Sequence, residues 1–271
     1  MAKRDFKDKV AVITGAAGGI GKALCKRFAA GGAKVVALDI DEHALHELKK
    51  ELEEAGVELA AYPCDVTSEK NCQDAINYAL SKFGRIDLLC NNAGISHRSA
   101  LIHTNTAVIK KVMEVNFYGA LYCTKAALES LIENKGMIVV MSSIAGFAPL
   151  IARTGYSASK HALHGFFESL RAELKDEGVQ VIIVCPSFVK TGIEQRALGG
   201  DGKPAGRPRQ HLGRVGLPEE LAETIFQAAC QNKRLLLPST ISKLSYWIYK
   251  FCPGFYLKNM VGRLKKEMEA I

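Results

Sequence analysis

The chain is 271 residues long, 48% hydrophobic and 24% charged, a make-up that suits a globular domain and excludes collagen-like, disordered and disulfide-scaffold classes. Its formal net charge of +8 is lopsided: residues 1–189 hold 22 basic and 21 acidic side chains, residues 190–271 hold 14 and 7. The basic character therefore belongs to the C-terminal part, where it faces anionic lipid, an anionic substrate or simply solvent.

Met1-Ala2-Lys3-Arg4-Asp5 alternates charge and lacks the apolar core of a signal peptide. No clean apolar run of about 18 residues appears, so no spanning helix is expected. The eight cysteines form no C-x-x-C pair, and Cys90 and Cys185 close apolar runs. Buried free thiols in a reducing, cytoplasmic compartment are expected over disulfides or zinc.

In chain order, β-branched runs predict strands at Val10–Thr14, Lys34–Asp39, Glu58–Tyr62, Ile86–Asn91, Met137–Ser142, Val179–Cys185 and Arg234–Leu237. They are too uniformly apolar for a sheet with one wet face, which points to parallel strands covered on both sides. Amphipathic segments lie between them: Leu45, Leu48 and Leu52 share a face, and Thr67 or Ser68 can cap the helix carrying Ile76, Ala79 and Leu80. The pattern predicts an α/β fold with a doubly wound, Rossmann-like seven-stranded parallel sheet, helices on both faces and a helical C-terminal extension. Residues 1–238 are read as one catalytic domain and 239–271 as a basic, aromatic extension. Within the first, the Gly-, Pro- and Arg-rich stretch 191–216 reads as a substrate lid.

The first strand runs into Thr14-Gly15-Ala16-Ala17-Gly18-Gly19-Ile20-Gly21, where a helix pattern begins. Glycines there let the backbone turn tightly and approach a pyrophosphate, which the helix N-terminus then faces. A Walker A loop is excluded because Gly21-Lys22 is followed by Ala23. Asp39 ends the second strand 18 residues later; its carboxylate suits two ribose hydroxyls and repels a 2′-phosphate, favouring NAD over NADP.

Tyr156-Ser157-Ala158-Ser159-Lys160 puts a phenol and an ammonium about one helical turn apart. A free tyrosine has a pKa of about 10. A neighbouring cation lowers it towards the range of a working base. Ser143 stands 13 residues before Tyr156, at the end of a predicted strand.

The spacing T-G-x-x-x-G-x-G, with Tyr156, Lys160 and Ser143, resembles the short-chain dehydrogenase/reductase family over roughly residues 7–192. The resemblance implies Tyr156 as acid/base and Lys160 as the group that lowers its pKa and holds the nicotinamide ribose. It implies Ser143 as hydrogen-bond partner of the substrate oxygen, with Ser142 as the alternative if the register slips by one. Asn116, in Val115-Asn116-Phe117, matches the member that ties Lys160 to a water chain. Cofactor contacts implied are Gly15, Ala17, Gly18, Gly19, Ile20, Gly21, Asp39, Ile40, Asp65, Val66, Asn92, Ala93, Gly94, Tyr156, Lys160, Pro186, Val189 and Thr191. Ser187 departs from the family's Pro-Gly at this point.

The activity so implied is NAD-dependent hydride transfer with a secondary alcohol or ketone, in a homo-oligomer, dimer or tetramer. Phe147, Leu150, Ile151 and Phe188 flank the motifs and lean towards a hydrophobic substrate; Arg196, Arg207, Arg209 and Arg214 in the lid lean towards an acidic one. The alternative is an NAD-binding, redox-sensing scaffold with little turnover. Sugar epimerase or dehydratase chemistry generally needs a longer substrate domain. A metal site at His161, His164 and Glu168 is not expected, Glu168 being placed to pair with Arg171. A G-x-S-x-G hydrolase elbow and a nucleic-acid-binding module are absent. Beyond Pro238, Tyr246, Trp247, Tyr249, Phe251, Phe255 and Tyr256 alternate with lysines, which suits a helical flap over the cleft, a subunit contact or a peripheral membrane contact.

Overall fold

The computed structural model describes residues 3–193, 195–206 and 215–269. Seven strands, β1 (Val10–Thr14), β2 (Lys34–Asp39), β3 (Leu59–Pro63), β4 (Leu88–Asn91), β5 (Met137–Met141), β6 (Gln180–Val184) and β7 (Leu235–Leu236), lie within two residues of their expected bounds. They form one parallel sheet in the order β3-β2-β1-β4-β5-β6-β7.

Side chains alternate between the two faces. Ile13, Val35, Cys90, Val139 and Ile182 join a core with Leu24 and Phe28 of α1 (Gly19–Ala30), Leu45, Leu48 and Leu52 of α2 (Glu42–Glu54), and Ile225 of α7 (Pro218–Cys230). Val12, Val36, Leu89, Val140 and Ile183 face Ile76 of α3 (Glu69–Phe83), Leu131 of α5 (Gly119–Glu133), and Leu163 and Phe167 of α6 (Thr154–Glu173). Burial on both faces is why the strands carry no polar alternation. Local chemistry sets the helix ends: Asp41 caps α2 by accepting from Ala44 N at 3.0 Å, Ser68 caps α3 by accepting from Asn71 N at 3.2 Å, and left-handed Gly84 ends α3.

The order reverses between β1 and β4, so the loops after these two strands diverge and leave a crevice at their C-terminal ends. Between α4 (Thr106–Met113) and α5 the helix widens into a π-turn, Glu114–Tyr118, which carries the buried Asn116. The segment after β6 is tied back by bridges from Val189 to Gly216 and from Leu198 to both His97 and Pro204. Arg207, Arg209 and Arg214 lie outside the described residues. After β7, α8 (Thr240–Phe251) and α9 (Pro253–Glu269) pack on each other through Tyr249 and Tyr256, whose ring centres are 5.4 Å apart.

Candidate active site

The glycine turn lines the crevice. Gly15 adopts φ +62°, and a Cβ on it would stand 2.9 Å from Ala93 Cα; a Cβ on Gly21 would collide with the Gly15 carbonyl oxygen. Both positions thus demand glycine for close approach of α1, β1 and the β4 loop. Thr14 Oγ1 accepts from the backbone N–H groups of Asn92 and Ala93, each at 3.0 Å. The Asn92 amide donates back to the carbonyls of Thr14 (2.9 Å) and Gly15 (3.0 Å). The two strand ends are therefore locked together by side chains whose own bonds leave the floor of the crevice rigid.

Asp39 receives the Ala17 N–H at 2.9 Å through one carboxylate oxygen and the Asp41 N–H at 3.1 Å through the other. The carboxylate so held flanks a cleft of about 440 Å³, within the range of small-molecule sites. Of the expected cofactor residues, Gly15, Ala17, Gly18, Gly19, Ile20, Gly21, Asp39, Ile40, Asp65, Val66, Asn92, Ala93, Gly94 and Thr191 line it. Asp65 spends its carboxylate locally, accepting from Thr67 N at 2.9 Å and Thr67 Oγ1 at 2.8 Å. A glycine-walled trough at a helix N-terminus with a carboxylate at one end fits a dinucleotide.

A second, smaller cleft of about 110 Å³ adjoins the first and shares Ile20, Asn92, Gly94, Thr191 and Ile193 with it. Ser142, Ser143, Tyr156, Lys160, Pro186 and Val189 line it. The rise of α6 sets Lys160 one turn beyond Tyr156, with the ammonium 5.6 Å from the phenol ring centre. Lys160 Nζ donates to Met141 O at 2.8 Å, and burial pulls its pKa from 10.5 to about 8. A base so placed is still protonated at neutral pH and offers a positive charge to a phenolate.

Asn116 is braced from three sides. Its carbonyl oxygen accepts from Ile95 N at 2.8 Å, while its amide donates to Ile95 O at 3.0 Å and Ser159 Oγ at 2.9 Å. Ser159 in turn donates to Tyr156 O at 2.8 Å, so the π-turn and the first turn of α6 are pinned to each other. Asn116 Oδ1 stands 3.1 Å from the position a Cβ of Gly94 would take, with Lys160 Nζ in ordinary contact at 3.5 Å.

The two adjacent serines part company. Ser143 caps the 3-10 turn Ile144–Gly146, accepting from Ala145 N at 3.2 Å, and is half-buried. Ser142 is buried against His164 Nε2 at 3.0 Å, and Cys185 Sγ lies 3.5 Å from the same nitrogen. Burial drives the His164 pKa down to about 4, so this imidazole is neutral at working pH. Glu168 forms its ion pair with Arg171.

Sequence reasoning missed Arg98 and Arg153, both buried and both lining the cleft around Tyr156. They come from loops whose convergence no local spacing reveals. It also missed Ser159, which reads as a spacer in Y-x-x-x-K. Neither Phe147, Leu150, Ile151 nor Phe188 is among the residues lining this cleft; Phe147 instead meets Tyr246 of α8, ring centres 5.1 Å apart. Ser187, where the family carries glycine, shares a 2.8 Å hydrogen bond between its hydroxyl and that of Ser239, the N-cap of α8. Arg196 lines the larger cleft rather than the smaller one.

A strand-order switch, a glycine turn and a serine, tyrosine and lysine converging beside it at the C-terminal ends of the strands are the marks of a Rossmann-like oxidoreductase fold. The family model for short chain dehydrogenases matches residues 9–199, and the chain belongs to the short-chain dehydrogenase/reductase family. It is 35% identical to the dehydrogenase/reductase SDR family member 7B of Rattus norvegicus, over 99% of this chain and 85% of that protein. A 7-like family protein of Drosophila melanogaster is 32% identical over 97% of this chain and 83% of its own length. Among solved structures, a Burkholderia phymatum short-chain dehydrogenase/reductase in complex with NAD superposes with a TM-score of 0.83 at 28% identity, covering 91% of this chain and 94% of that one.

Proposed function

We propose that this chain moves a hydride between NAD(H) and the carbinol or carbonyl carbon of a secondary alcohol or ketone with an apolar body. The observation that carries the reading is the smaller cleft beside the larger one, where the buried Lys160 ammonium lies 5.6 Å from the Tyr156 ring centre. When bound, the nicotinamide supplies or accepts the hydride. Tyr156 takes the hydroxyl proton in oxidation and returns it in reduction, and Lys160 stabilises the phenolate between these events. Ser143 donates to the substrate oxygen as charge develops on it. Asn116 holds the Ile95 loop and Ser159 in place behind the pair.

For the cofactor, Asp39 accepts from the adenosine ribose and disfavours a 2′-phosphate. Asp65, Val66 and Ile40 flank the adenine end, and Pro186, Val189 and Thr191 the nicotinamide end. The Burkholderia neighbour's complex with NAD supports this assignment. Met141, Val189, Ile193 and Ala197 supply the apolar side of the smaller cleft. Residues 1–238 form the catalytic unit in this reading, acting in the cytoplasm as a homo-oligomer.

The test is NADH formation across secondary alcohols from short polar ones to hydroxysteroids and long-chain alcohols, with NADP⁺ in parallel. Turnover of apolar members with NAD⁺ preferred is expected. NADH binding with no turnover on any member would bring the redox-sensing scaffold reading to the front.

A further inference from the structure

On α8, Leu244, Trp247 and Phe251 recur at i, i+3 and i+7 and are 55%, 52% and 70% exposed. On α9, Leu257 and Val261, one turn apart, are 40% and 43% exposed, and Phe255, on another side of that helix, is 62% exposed. Trp247 and Phe251 stack face to face, ring centres 5.8 Å apart, and Lys250 Nζ stands 5.4 Å from the Trp247 ring. An exposed aromatic surface of this kind marks an interaction site.

The charges beside it choose the occupant. From Ser239 to Gly262 the charged residues are Lys243, Lys250 and Lys258, with no acid among them. In a two-fold contact the same patch meets itself, so a second copy would set these lysines against their own images. A bilayer with anionic headgroups meets both demands: phosphates for the lysines, and the acyl boundary for tryptophan and phenylalanine. No helix among the described residues is long and apolar enough to cross a membrane, so the contact lies in the interface plane.

We propose that the outer face of α8 and α9 docks on an anionic lipid surface. The start of α8 is tied to the reaction cleft: Ser187 lines that cleft and hydrogen-bonds Ser239, the N-cap of α8. Docking on α8 therefore engages a helix whose N-cap is tied to a wall of the cleft. It does not depend on which alcohol or ketone is turned over.

Trp247 is the chain's single tryptophan, so its emission reports this face alone. The full chain is mixed with phosphatidylcholine vesicles with and without phosphatidylserine, and co-sedimentation is followed beside Trp247 fluorescence. Blue-shifted emission and co-sedimentation with the phosphatidylserine vesicles are expected, weakening as salt rises. Lysines at an anionic surface are worth roughly fivefold each, so Lys243→Gln/Lys250→Gln/Lys258→Gln should lose on the order of a hundredfold in partitioning. Trp247→Ser/Phe251→Ser should abolish co-sedimentation. An unchanged thermal midpoint in both variants shows that they remain folded.

Unshifted emission with no co-sedimentation overturns the proposal. So does equal binding of the lysine variant and the wild type to neutral and anionic vesicles. Emission that shifts with protein concentration alone, together with a doubled particle mass, would assign the face to a second copy instead.

Discussion

Replacing Lys160 by methionine separates what the lysine does for catalysis from what it does to the fold. Methionine keeps the length of the side chain and fills the same buried slot without a charge. In the folded chain burial holds the lysine pKa at about 8, against 10.5 in water. At neutral pH this opposes folding by about 3 kcal/mol. The hydrogen bond to Met141 O returns about 1–2 kcal/mol of that. Lys160→Met should therefore be as stable as wild type or about 1–2 kcal/mol more stable at pH 7, while losing turnover.

The pH dependence gives the sharper reading. The destabilisation is fully present below the folded pKa of about 8. Between that value and 10.5 the unfolded chain binds more protons than the folded one, so wild-type stability rises with pH. From pH 7 to about pH 9.5, wild type should gain about 2 kcal/mol on the variant. Urea unfolding of both proteins at the two pH values measures the difference. Parallel stability profiles, or a variant several kcal/mol weaker at neutral pH, would refute the buried-cation account.

Ser143→Ala should lower kcat by about 10²–10³-fold by removing a donor to the substrate oxygen. Ser142→Ala, whose hydroxyl is committed to His164, should stay within about tenfold of wild type in the same steady-state assay. Asp39→Ser should raise kcat/KM for NADP⁺ relative to NAD⁺ by at least about tenfold, because the repelling carboxylate is gone. Gly21→Ala forces a methyl into the Gly15 carbonyl and should cost about 1–3 kcal/mol in urea unfolding, with weakened NADH binding read by fluorescence titration.

The sheet was legible because each strand is an apolar run buried on two faces, and its parallel, doubly wound character followed from the alternation with helices; the order of the strands came from the structure. Leu45, Leu48 and Leu52 announced the buried face of α2 by spacing alone, and Ser68 rather than Thr67 proved to be the cap of α3. The π-turn at Glu114–Tyr118 left no local mark, since the helical pattern runs on through it and its extra residue answers to tertiary contacts of Asn116. Phe147 was expected at the substrate because it follows Ser143 closely. The intervening 3-10 turn directs it to Tyr246 instead. Arg98 and Arg153 were invisible for a topological reason, since they meet only once β4 and β5 are paired. Unlike the other six thiols, Cys230 is half-buried, at the margin of the core that holds α1 and α7, and Cys252 is exposed at the end of α8.

The central claim is that Tyr156 moves the proton while Lys160 holds its charge. The most direct measurement is Tyr156→Phe on an alcohol that the wild type oxidises, with NADH affinity determined for both proteins. Loss of kcat by about 10²–10⁴-fold, with NADH affinity changed little, is the predicted result. Full turnover in the variant would contradict the assignment and leave Tyr156 a positioning residue.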